Sequence, residues 1–134
     1  MNRTLLCSAI EGLVSQCGYE FHLDYESHYP TTVCRYPAAF MSQPQFESIE
    51  GRKHGRIAYK VKLRLAQNGA KLSPNERNQR LNEMENELIE IFTLLSKDRI
   101  VAVVKELTIS PVAEAVDNHG AVATMAEAVV ETIF

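Results

Sequence analysis

Residues 57–97, IAYKVKLRLAQNGAKLSPNERNQRLNEMENELIEIFTLLSK, carry two hydrophobic periods back to back, and the change from one to the other decides the fold class. Ile57, Tyr59, Val61, Leu63 and Leu65 alternate with Ala58, Lys60, Lys62 and Arg64, the period of two that a strand with one buried face requires. Asn68-Gly69 then supplies turn chemistry. Ser73 is suited to cap a helix, and Pro74 fits the first helical position, where its missing N–H costs nothing. Glu76 completes a capping box. Behind that start, Leu81, Met84, Leu88, Ile91, Phe92 and Leu95 form one apolar stripe. The pattern predicts a central helix over about 73–97, roughly 35 Å long and able to cross a whole sheet.

Working outward, residues 2–16 place Leu5, Leu6, Ala9, Ile10, Leu13 and Val14 on one helical stripe, with Gly18 suited to the C-terminal cap. From Tyr19 the period drops to two: Tyr19, Phe21, Leu23 and Tyr25 alternate with Glu20, His22, Asp24 and Glu26. Tyr29-Pro30 breaks that strand. A short strand within Thr31 to Phe40 is expected at an edge or an irregular bend, because Pro37 lacks the ladder donor. Met41 to Gly55 has no sustained period and contains Pro44, Gly51 and Gly55, so it reads as a long loop or arm. In a compact domain a loop of that length more often has a role than not.

After the central helix, Ile100 to Ile109 is rich in β-branched residues and reads as a buried strand, with Pro111 allowing a bend near its end. Asp117-Asn118-His119-Gly120 has the composition of a turn and suggests a hairpin. Two readings compete over 121–134. Val122, Met125, Ala126, Val129, Val130 and Ile133 fall at helical spacing, whereas the preceding turn and the ending Val-Val-Glu-Thr-Ile-Phe favour a strand; the strand is preferred. The sum is a single α+β domain over 1–134, a mostly antiparallel sheet packed on a long central helix and an N-terminal helix.

Composition narrows the function classes. At 134 residues, with 46% hydrophobic and 23% charged residues, the chain has the make-up of one globular domain. Charged residues interrupt every apolar run before the ~20 residues of a membrane span, so no membrane partner is expected. The N-terminal stretch does not read as a signal peptide, and Cys7, Cys17 and Cys34 are an odd number without paired spacing. A cytosolic location with reduced thiols is the expectation. A net charge of −3 gives no general attraction to nucleic acid, and no sequence-specific nucleic-acid binding is expected.

None of the short motifs with a defined mechanism occurs: no phosphate-binding glycine loop, nucleophile elbow or zincin helix. Cys17, His22, His28 and Cys34 have ligand chemistry but the spacing of no zinc module, and surface histidines with small apolar thiols are the preferred reading. Cys34 with His119 is the kind of pair that any chain with a few such residues offers. Glu83, Glu85, Glu87 and Glu90 read as the solvated side of the central helix. No catalytic residue, metal site or cofactor is expected. Arg52, Lys53, His54, Arg56, Lys60, Lys62 and Arg64 are the one concentration of charge. The plain reading is a solvated strand face that discourages edge-to-edge pairing, and the functional one is a basic patch for an acidic partner or for nucleic acid passing nearby.

The order of elements resembles the small tail-terminator and tail-completion proteins of long-tailed bacteriophages and prophages. The resemblance runs from the N-terminal helix and strand through Tyr36-Pro37-Ala38 into the loop. It continues through the strand Ile57 to Leu65, the capped helix Ser73 to Lys97, the strand Ile100 to Pro111 and the closing hairpin. It implies a non-enzymatic structural protein that forms a ring, typically a hexamer, capping the tail tube or joining tail to head. Its partners would be further copies of itself and other tail or connector proteins, in the cytoplasm during assembly and then in the virion tail. The loop would be an inter-subunit or tube-contacting arm. Gln43, Phe46, Arg52, Lys53, Arg56, Lys60, Lys62 and Arg64 are the candidate interface. A helical 121–134 would count against the family. The alternative reading is a small bacterial ligand- or peptide-binding module with its pocket between the long helix and the sheet.

Overall fold

The computed structural model describes residues 1–23, 36–112 and 121–134, so Tyr25, Tyr29-Pro30 and the Asp117 to Gly120 turn lie outside the described residues. Among the described residues two helices and six strands follow in the order α1 (Asn2–Gln16), β1 (Glu20–Leu23), β2 (Ala38–Met41), β3 (Gln45–Gly51), β4 (Gly55–Gln67), α2 (Pro74–Leu95), β5 (Val101–Pro111) and β6 (Val122–Ile133). The fold is the expected α+β domain. Its sheet has the order β1-β2-β4-β6-β5, with β3 added to β4. Among the described residues only the β1–β2 pair is parallel.

Each helix is set by its predicted local signals. In α1 the apolar positions Leu6, Ile10 and Val14 recur one turn apart and are buried. Gly18 ends it with φ +86, and the Tyr19 N–H reaches back to the Val14 carbonyl while the Gly18 N–H reaches Ser15. This is the Schellman closure that a left-handed glycine permits. At the start of α2 the Ser73 hydroxyl accepts from the Glu76 N–H at 3.2 Å, and the Glu76 carboxylate accepts from the Ser73 N–H at 3.0 Å. Met84, Leu88, Ile91, Phe92 and Leu95 of α2 are buried against the sheet.

β4 is the centre of the sheet. Its odd residues Tyr59, Val61, Leu63 and Leu65 join Leu6, Ile10, Val14 and the α2 stripe in one core. Its even residues face away from the helices. β6 pairs with β4 without a break from Arg56↔Ile133 to Gln67↔Val122, so Val122, Thr124, Ala126, Ala128, Val130 and Thr132 all turn toward the helices and are buried. That continuous register makes 121–134 a strand: every second side chain finds cover, which the helical alternative lacks. On the opposite face Ala38, Phe40, Ala66 and Ala123 form a small second cluster, flanked by Tyr36 and Val112.

Three expectations need correction. Met41 to Gly55 is not a long loop: it contains strand β3, which pairs with β4 from Gln45↔Lys60 to Gly51↔Gly55 around a bulge between Phe46 and Ser48. All seven β3 residues are exposed, so no buried face imprinted a period on the sequence. Ile100 to Ile109 is not a buried strand. β5 is an edge strand with two register shifts and a left-handed Glu106 (φ 57), and Lys105 to Thr108 are exposed. Finally, the strand after Pro37 is internal, between β1 and β4. Pro37 precedes Ala38, so its missing N–H falls outside the ladder, while its carbonyl accepts from the Glu20 N–H at 3.0 Å.

Candidate assembly surfaces

β3, exposed along its whole length, forms a hairpin with β4. Its tip, residues 52–54, carries Arg52, Lys53 and His54, all exposed. Two glycines fix the closure. A Cβ on Gly51, whose φ is +99, would meet the His54 carbonyl oxygen at 2.3 Å, and one on Gly55 would meet the Glu50 carbonyl oxygen at 1.8 Å. No larger residue fits either position with the backbone unchanged. On the helix-side face of β3, Phe46 is 57% and Ile49 56% exposed. Phe46 meets Tyr59 edge to face, with ring centroids 6.4 Å apart. Gln43 lies in the connector between β2 and β3 and is exposed.

The remaining candidate interface residues, Arg56, Lys60, Lys62 and Arg64, project from the sheet face that the helices leave open. There the predicted basic patch meets acids from β6. Arg56 pairs with Glu131 at 3.1 Å, Lys105 reaches the other oxygen of Glu131 at 2.6 Å, and Lys62 lies 3.9 Å from Glu127. Hydrogen bonds from Lys105, then Arg56, hold the Glu131 carboxyl below its ordinary range. The same contact raises the Lys105 ammonium. On this face Arg56 and Lys62 of the predicted basic patch, with Lys105 of β5, are paired with acids of β6. The sequence did contain the missing signal: period two over 122–133 puts Glu127 and Glu131 on one side of the strand.

At the far end of β4 an open cleft of about 730 Å³ lies between α2 and the sheet, lined by Tyr36, Pro37, Gln67, Asn68, Arg80, Glu83, Asn86 and Glu87. A polar relay forms its base. Arg80 donates to the Gln67 side-chain oxygen Oε1 at 3.0 Å, Gln67 Nε2 donates to the Tyr19 hydroxyl at 2.8 Å, and that hydroxyl donates to Glu87 at 2.6 Å. Burial, followed by the hydrogen bond to Glu87, pushes the Tyr19 phenol far above its usual range, so it remains a donor at neutral pH. Glu83, Glu85 and Glu90 are solvated as expected, but Glu87 is half-buried, because the turn after α1 brings Tyr19 against it. Sequence reading missed Tyr19, Gln67 and Arg80, which lie far apart in the chain and share no motif.

His28, Cys34 and His119 lie outside the described residues. Cys17 ends α1, and burial, then Glu87 and Glu90, raise its thiol pKa, which disfavours the thiolate that metal binding or nucleophilic attack requires. His22 stacks on Phe40 with ring centroids 5.2 Å apart. Among the described residues no three His, Cys, Asp or Glu side chains come together as a metal-binding group. No helix among them is long and apolar enough to cross a membrane. Compared with known proteins, the chain matches no family model and no curated protein.

Proposed function

We propose that this protein is a non-enzymatic structural component of a phage or prophage tail, assembling with its own copies into a ring that caps the tail tube or joins tail to head. The observation that carries the reading is the β3–β4 hairpin, whose β3 strand is exposed along its whole length and carries two large apolar side chains, and whose basic tip closes on Gly51 and Gly55. Within one copy such an arm leaves apolar surface and a strand edge in water, a liability that assembly removes. The element order behind the phage resemblance supports the finer assignment. A β-strand over 122–133 is compatible with it.

Light scattering coupled to size exclusion, with negative-stain imaging, tests the proposal. Across ~1–100 μM, bracketing a micromolar self-association, mass should rise to a discrete multimer, and ring-shaped particles should be visible. A monomer throughout that range would sink the reading. The cleft beside α2 gives a ligand- or peptide-binding module its own supporting observation. A monomer whose melting temperature rises with a bound small molecule or peptide would favour that alternative.

A further inference from the structure

We infer that the β3–β4 hairpin tip of one copy seats in the polar cleft of a second copy; the inference rests on the assembly reading above and names the contact that would carry it. Tip and cleft lie at opposite ends of one strand. The tip adjoins Gly55, the first residue of β4, and the cleft is lined by Gln67, its last. At ~3.3 Å per residue those 13 residues place the two ends ~40 Å apart, so a tip cannot fill its own cleft.

Shape and charge make the two surfaces complementary. The tip is convex: residues 52–54 close the β3–β4 ladder beyond its last pair, Gly51↔Gly55. Arg52 and Lys53 are exposed and have no ion-pair partner among the described residues. The cleft is concave, within the ~300–1,000 Å³ of built binding sites, and presents Glu83 and Glu87 beside the amide of Asn86, with Arg80 bonded to Gln67 and Glu87 to Tyr19, so that its two acids outnumber its one cation. Glu83 is likewise without an ion-pair partner among the described residues. An ion pair formed in a partly enclosed cleft is screened less than one on open surface. Because donor and acceptor are different surfaces, each copy uses its tip on one neighbour and its cleft on the other. Head-to-tail repetition of that contact closes into a ring when the rotation permits.

Charge reversal on the full chain tests the contact. One variant carries Arg52→Glu and Lys53→Glu; the other carries Glu83→Lys and Asn86→Lys. All four positions are exposed, and circular dichroism with thermal melting checks that each variant folds. Each variant alone should need at least ~10-fold more protein for half-assembly, since like charges then face each other. An equimolar mixture should assemble like the parent, because the acidic tip meets the basic cleft while the unaltered tip meets the unaltered cleft. Arg52→Ser with Lys53→Ser provides the same contrast at smaller amplitude if a reversed variant folds poorly. Folded variants that assemble like the parent, or a mixture that stays dissociated, would overturn the seat and leave the assembly reading intact. A parent protein that is monomeric at every concentration would overturn both.

Discussion

Strands β2 and β3 lie end to end along the same edge of β4, separated by only three residues, yet they share almost nothing in burial. All four β2 residues are buried, and all seven β3 residues are exposed. Both make antiparallel ladders with β4. The difference lies in their neighbours. β2 has β1 on its outer edge, Ala39 and Met41 in the helix-side core, and Ala38 and Phe40 in the cluster on the other face. β3 has β4 on one edge and no strand on the other among the described residues. Backbone pairing thus makes a strand in both places, whereas side-chain burial makes a core in only one. β2 belongs to the stability of the domain, and β3 is available to a partner.

Replacing one phenylalanine in each strand should expose the contrast most strongly. Phe40→Ala removes a buried ring and should cost ~3–5 kcal/mol in urea unfolding, whereas Phe46→Ala should cost less than ~1 kcal/mol and weaken self-association instead. Equal losses would mean that β3 is as much core as β2. Next in size, Gly55→Ala should cost ~1–3 kcal/mol, because its new methyl group collides with the Glu50 carbonyl. Hydrogen exchange should then accelerate across 45–51 and remain slow across 38–41. Uniform acceleration would show that the hairpin and the core open as one unit.

Tyr19→Phe removes the hydroxyl that joins Glu87 to Gln67 beside the cleft. It should cost ~1–2 kcal/mol without loosening β3, and a stability equal to the parent would mean that water replaces the bond. The smallest effect belongs to the charge lattice on the open face. The Glu131 carboxyl is held below its ordinary value of 4.5 in the folded protein. The unfolded chain therefore binds its proton first as pH falls. The stabilisation is present above 4.5 and is lost as pH drops through the lower folded value. Glu131→Gln should flatten this acid limb slightly in urea titrations at successive pH values. An unchanged slope would assign the acid sensitivity to other carboxylates.

The fold was legible where a side-chain pattern met its own local cause. The Ser73-Pro74-Glu76 start of α2, the Gly18 closure of α1 and the alternation of β4 all work through contacts within a few residues or through one repeated face. The sequence misled where burial and secondary structure part company. β3 forms without burying a face, so its residues carry no period. β5 is β-branched but sits at an edge. Pro37 lies one residue outside the ladder it was expected to disturb. The candidate site was legible in part. The basic tip and Phe46 stand out in the sequence as an arm, but the neutralising partners Glu127 and Glu131 come from the last strand. The relay through Tyr19, Gln67, Arg80 and Glu87 exists only once α1, β4 and α2 have packed.

By itself, the sequence determined the α+β class, both helices with the Gly18 closure of α1 and the Ser73 capping box of α2, the central strand and a charge-rich stretch around residues 52–64. Short-range hydrogen bonding and hydrophobic period act locally, and so they can be read locally. Only the tertiary structure decided which strands are edges, that Arg56 and Lys62 are balanced by acids on β6, and that a basic tip and a polar cleft stand at opposite ends of β4. Those features depend on which distant segments become neighbours. That choice follows from burying the helix-side core as a whole, a property no single stretch of the chain contains.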